Sequence, residues 1–142
     1  MALQYPPKIG NLLMCDFSDG FKEPEMIKAR PVIVLATGGN SAMGTVTVVP
    51  LSTTEPDPKL DHHEILDSKS LPKHRLFTHK TSWIKGNMVY SVGLHRLSLI
   101  ATGRDSSSKR SYINHRIDEN ALKVVQKCVL CGLNLPELAQ YL

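Results

Sequence analysis

The stretch E-M-I-K-A-R-P-V-I-V-L-A-T-G-G-N-S-A-M-G-T-V-T-V-V-P-L-S-T-T, Glu25 to Thr54, decides how this chain folds. Its two apolar runs, Pro31 to Ala36 and Val46 to Leu51, are dense in β-branched residues, which suit a pleated, buried strand. Between them Thr37 to Gly44 is rich in Gly, Asn and Ser. The pattern predicts a hairpin of two largely buried strands joined by a longer loop. Polar residues collect at the open end: Glu25, Lys28 and Arg30 before the first strand, Ser52, Thr53 and Thr54 after the second. In an antiparallel pair the start of one strand lies beside the end of the next. Arg30 and the three hydroxyls are therefore expected to meet at one edge of a sheet. An arginine fork beside hydroxyls, with a glutamate near, suits a phosphate.

The bounds of the chain agree with a small folded enzyme or binding protein. At 142 residues it is long enough to bury a core as one domain, residues 1–142. A hydrophobic share of 42% and a charged share of 21% are ordinary for a globular protein, which argues against a disordered chain. No apolar run approaches the ~20 residues that cross a bilayer. Met1 to Pro7 lacks a basic region followed by an apolar stretch, so a cytoplasmic location is expected. Three cysteines, Cys15, Cys128 and Cys131, are an odd count that argues against a disulfide framework. The net charge of +4 mildly favours a polyanionic partner.

Along the chain, Asn11 to Phe17 reads as the first strand, and Ser18 to Ala29 as a long charged loop, either solvated or a mobile flap over a groove. Pro56 and Pro58 exclude a central strand, and Asp61-His62-His63-Glu64-Ile65-Leu66 reads as a short strand entered from a loop. Adjacent histidines on a strand point to opposite faces, so His62 and His63 are not expected to share a metal ion. Thr81 to Val92 predicts one longer strand or a bent pair, with Trp83 in a core or interface and Lys85 and Asn87 alternating onto one face. Gly93 to Ala101 suggests a short helix or turn before a strand. Thr102 to Arg110 reads as an exposed loop and Ser111 to Ile117 as a strand. Arg104, Lys109, Arg110 and Arg116 there, like Lys73, His74, Arg75, His79 and Lys80 earlier, make a solvated basic surface or an extension of a nucleic-acid surface. Asp118 is a good N-cap for a helix over about 118–133, whose Leu122, Val125, Val129 and Leu133 recur on one face. Cys128 and Cys131 sit deep in that helix and read as buried small hydrophobes. The fold class expected is mostly β with a C-terminal helix.

R-P-V-I-V-L, a Gly/Asn-containing loop and T-V-V-P-L-S-T-T resemble the PemK/MazF family of toxin endoribonucleases. Lys8-Ile9-Gly10 followed by Leu12 to Phe17 resembles the family's opening strand. Glu25 stands five residues before Arg30, as the family's loop acid does, and His95-Arg96-Leu97 resembles its later x-R-L element. The likeness covers roughly residues 5–98. It implies an SH3-like barrel, a homodimer, and metal-independent cleavage of single-stranded RNA with no cofactor. It also implies a cognate acidic antitoxin whose disordered tail folds over the RNA groove. On these positions Arg30, Ser52 and Glu25 are the catalytic candidates, and Lys28, Thr53, Lys85 and Asn87 the substrate-binding ones. His62 and His63 are outside candidates for a base. Some family members carry an aspartate where this chain has Asn87, and asparagine cannot act as a general base. Two other readings stay open on the same fold. One is a CcdB-like toxin that binds a gyrase subunit. The other is an RNA-binding family member without catalysis.

Overall fold

The computed structural model describes residues 3, 5–38, 44–104 and 106–142. The middle of the loop expected over Thr37 to Gly44 lies outside the described residues. Ten strands and one α-helix are formed among them. They are β1 (Asn11–Cys15), β2 (Arg30–Thr37), β3 (Thr45–Ser52), β4 (His63–Leu66), β5 (Ser82–Lys85), β6 (Tyr90–Gly93), β7 (Leu97–Ser98), β8 (Ile100–Arg104), β9 (Arg110–Ile113), β10 (His115–Arg116) and α1 (Glu119–Gly132). The fold is mostly antiparallel β with one helix near the C-terminal end. The main sheet runs β10-β1-β2-β3-β5-β4, with β6 also on β3 and β7 also on β1; β8 and β9 form a separate hairpin.

The sheet bends because β1 and β3, each paired with β2 on one edge, divide the other edge between two short strands. The first half of β3 pairs with β6 and its end with β5. The start of β1 pairs with β10 and its end with β7. The barrel nevertheless stays open, since the path ends at β4 and β10, which do not pair with each other.

Both faces of this antiparallel sheet are buried, so β2 and β3 read as continuous apolar runs rather than alternating ones. One face, with Leu12, Ile33, Val49, Leu51 and Ile84, packs under α1 through Val125 and Cys128. The opposite face carries Leu13, Cys15, Val32, Val34, Val46 and Val48, together with Phe17, Val92 and Leu97. The Ser18 to Ala29 loop covers it. Phe21 and Met26 pack there, and the rings of Phe17, Phe21 and Tyr90 meet at 5.1–5.4 Å between centroids. The Met26 N–H donates to Tyr90 Oη at 3.0 Å. The loop is pinned to the sheet rather than free of it.

The Thr81 to Val92 segment is a bent pair whose halves pair with different stretches of β3. It breaks at Gly86, whose N–H donates to His62 O at 3.0 Å and where any Cβ would strike the Cys128 carbonyl of α1. Lys85 and Asn87 therefore do not share a strand face: β5 ends at Lys85, and Asn87 lies in the turn against Gly132. Asp118 caps α1, its Oδ1 accepting from the Ala121 N–H at 2.8 Å. Asn134, at φ +62°, closes the helix: its own N–H reaches Cys131 O and the Leu135 N–H reaches Leu130 O. The expected apolar stripe holds through Val125 and Val129, but Leu133 is 55% exposed past the helix end, and Cys131 is only half-buried. Trp83, 7% exposed, lies in the interior.

Candidate functional site

The register of the central hairpin builds the site. Val32 faces Pro50, Ile33 faces Val49 and Val34 faces Val48. Carried two residues to the strand ends, the same register sets Arg30 opposite Ser52. On its other side Arg30 pairs with Cys15 of β1. Residues directly opposite in an antiparallel pair point to the same face. Cys15, Val32 and Val48 all point into the loop-covered core, so Arg30 and Ser52 end the apolar rows of that core. A cation and a hydroxyl occupy the places where the next two apolar side chains would stand.

The Arg30 guanidinium is placed at a cost. Its Nε is buried and has no hydrogen-bond partner. A buried donor without an acceptor is destabilising by roughly 1–3 kcal/mol, so such atoms usually mark a place where something else binds. Ser52 is 8% exposed, and its Oγ accepts from the Thr54 N–H at 3.1 Å. That bond uses a lone pair and leaves the hydroxyl proton without an acceptor among the described residues. Thr53 is exposed at the turn that follows.

The next strand extends the face. Ser52 pairs with Trp83 of β5, and Trp83 with Ile65 of β4. Two residues along β5, Lys85 pairs with His63. Lys85 is thus the diagonal neighbour of Ser52 on the same face, within reach of a long side chain. Burial lowers the Lys85 ammonium from its ordinary range. Burial also holds the His63 imidazole low, and the charges of His62, Lys85 and Lys59 push the same way. His63 Nδ1 accepts from the Leu60 N–H at 3.1 Å, so the neutral ring carries its proton on Nε2 and has no lone pair left for a base. The two histidine rings do not point apart: His62 lies just before β4, and the centroids are 4.2 Å from each other. Among the described residues, no three His, Cys, Asp or Glu side chains are grouped to hold a metal ion.

Glu25 and Lys28 lie exposed on the loop that leads into Arg30. Glu25 Oε1 accepts from the Lys22 N–H at 3.1 Å, and no hydrogen bond or ion pair joins it to Arg30. The loop is also held by Arg96, the arginine of the x-R-L element, for which no site role was expected. Arg96 donates from Nη1 to Asp16 O at 2.9 Å and from Nη2 to Asp19 O at 2.6 Å, and lies 4.8 Å over the Phe21 ring. An arginine inside the otherwise apolar G-L-H-R-L-S-L run was the available signal. Arg30, Ser52 and Lys85 are thus brought to one face, Glu25 and Lys28 stay on the exposed loop that leads into it, and Asn87 lies in a turn beside α1.

The comparisons with known proteins agree with this frame. The sequence model of PemK-like, MazF-like toxins of type II toxin–antitoxin systems matches residues 8–128. YifN of Escherichia coli (strain K12) is 30% identical over 153 residues, covering 94% of this chain and 96% of that protein. An uncharacterised protein of Haemophilus influenzae is 28% identical over 145 residues, covering 95% of each. MazF from Deinococcus radiodurans shares the fold with a TM-score of 0.62 at 14% identity, covering 92% of this chain and 99% of that one. A mycobacterial endoribonuclease in complex with its cognate antitoxin gives a TM-score of 0.58 at 16% identity, covering 92% and 97%. No helix among the described residues is long and apolar enough to cross a membrane. With the family's sequence model spanning β1 to the body of α1, and the overall fold shared with MazF, the chain belongs to the PemK-like, MazF-like toxins of type II toxin–antitoxin systems.

Proposed function

We propose that this protein is a metal-independent endoribonuclease that cleaves single-stranded RNA at the Arg30–Ser52 edge. The observation that carries the reading is the buried, unpartnered Arg30 Nε set across the hairpin from a hydroxyl with a free proton. Those are donors waiting for an acceptor, and the oxygens of a phosphodiester fit them. In the reaction the ribose 2′-oxygen bonds to the neighbouring phosphorus and the bond from phosphorus to the 5′-oxygen breaks. The products are a 2′,3′-cyclic phosphate and a 5′-hydroxyl. Arg30 neutralises the charge on the equatorial oxygens, and Ser52, with Thr53 behind it, donates to one of them. Lys85 adds positive potential along the same face, and Lys28 meets the strand at the rim. The 2′-OH proton passes to the Glu25 carboxylate, whose second oxygen is not engaged in the Lys22 turn. The leaving 5′-oxygen takes a proton from the Arg30 guanidinium, which regains one from solvent as the products leave while Glu25 releases the 2′-OH proton. Asn87, in its turn beside α1, takes no part in this scheme.

The protein acts in the cytoplasm as a homodimer and is held in check by an acidic antitoxin whose carboxylates occupy the phosphate sites. The mycobacterial neighbour's complex with its cognate antitoxin supports that partner. The test is to incubate the purified protein with a long RNA in EDTA and map cuts by primer extension. Cuts at a recurring short sequence are expected, unchanged by His62→Ala together with His63→Ala beyond a few-fold. Strict dependence on added divalent ion would remove the mechanism.

A further inference from the structure

A second opening lies one residue from Arg30, and the scheme above does not use it. Its lining includes Ala29, which precedes Arg30, and Cys15, which pairs with it. From there a cleft of about 610 Å³ runs between the β8–β9 hairpin and the connector around residue 75. The cleft's size suits a nucleotide. His74 braces the two walls: its Nε2 donates to Ala101 O at 2.8 Å and its Nδ1 accepts from the Leu76 N–H at 3.1 Å, so both ring nitrogens are spent. Arg75 and Arg110 also line the cleft, and neither guanidinium has a hydrogen bond or ion pair to another described residue. The single acid there, Asp16, faces Ser18: the Ser18 side chain, and then its N–H donating to Oδ1 at 2.8 Å, hold the carboxyl below the usual range. Tyr112 presents a half-buried ring among these groups. Two unpaired guanidiniums, an aromatic face and an apolar floor form a receptor for a base with its phosphate.

We propose that this cleft holds the RNA nucleotide flanking the cleaved bond, with its phosphate at Arg75 and Arg110 and its base against Tyr112. The proposal rests on the cleavage reading and gives that site a second subsite along the strand. It makes the β8–β9 hairpin a determinant of sequence preference rather than a solvated ornament.

The test uses the intact protein and RNA carrying a 2′-deoxy sugar at the mapped cut, so that binding is read without cleavage. One oligonucleotide is confined to the cut itself, and two others extend past it in either direction. Tyr112→Ala, and Arg75→Ala with Arg110→Ala, should bind the confined RNA as wild type does. They should bind one of the extended RNAs ~10-fold or more weakly, with a shallower salt dependence for the arginine pair. Arg110→Lys should recover part of the loss, and melting temperatures should match wild type. Equal binding of the extended RNAs by wild type and variants would overturn the subsite. So would a loss confined to binding of polyglutamate, which would assign the cleft to an acidic protein. A wild-type protein that cuts no RNA removes the cleavage reading and the subsite together, and is told apart by that first assay.

Discussion

Arg30→Ala lowers RNA cleavage by ~10²-fold or more, the scale seen when one charge-stabilising donor is taken from a preorganised site. It does so without weakening the fold. In the folded protein the Arg30 Nε is buried and unpartnered, so the native state already bears the cost of desolvating it. Removing the guanidinium relieves that cost, and the melting temperature should stay level or rise. This opposition of activity and stability distinguishes a site residue from a structural one, since a structural arginine would lose both. Arg30→Lys keeps the charge but not the planar fork, and is expected to recover only part of the activity. A melting temperature that falls by several degrees together with cleavage would place Arg30 in the scaffold, and cleavage at the wild-type rate would remove it from the site.

Phe17→Ala should be the most damaging single change to the fold away from the site. Phe17 is fully buried at the centre of the loop-covered core, 5.2 Å from the Phe21 ring and 5.1 Å from the Tyr90 ring. Cutting such a ring to a methyl group costs about 3–5 kcal/mol through lost transfer free energy and the cavity left behind. For a chain of this size that lowers the melting temperature by roughly 10 °C. The loop should loosen with it, because Phe21 and the Met26–Tyr90 bond lean on the same aromatic group. Thermal unfolding followed by circular dichroism gives the first effect, and hydrogen exchange of residues 18–29 the second. A shift under 2 °C would mean that the second core contributes little.

The central hairpin was readable because its signals are local. β-Branched runs name the strands, and antiparallel pairing then carries Arg30 to Ser52 with no tertiary information. The Asp118 cap and the apolar stripe of α1 were readable for the same reason. What escaped depends on distant parts of the chain. Asn87 looked like a strand residue because nothing near it in sequence announces that Gly86 must clear the Cys128 carbonyl of a helix more than forty residues later. The His62 and His63 rings were expected to diverge, yet β4 begins only at His63, so strand alternation does not govern the pair. The loop before Arg30 reads from its charges as either a solvated surface loop or a mobile flap, whereas Arg96, nearly eighty residues from the carbonyls of Asp16 and Asp19, ties them down. The sheet stays open because β4 and β10, at the two ends of its path, do not pair, and no local periodicity announces which strands will meet.

The most direct test of the central claim uses a short RNA containing one mapped cut, compared with the same RNA carrying a single 2′-deoxy sugar on the 5′ side of that bond, both in EDTA. Attack by the 2′-oxygen predicts that the all-ribose RNA is cut to a 2′,3′-cyclic phosphate and a 5′-hydroxyl, while the 2′-deoxy RNA stays whole. Cleavage of the 2′-deoxy RNA at the same bond, or products bearing a 5′-phosphate, would contradict it.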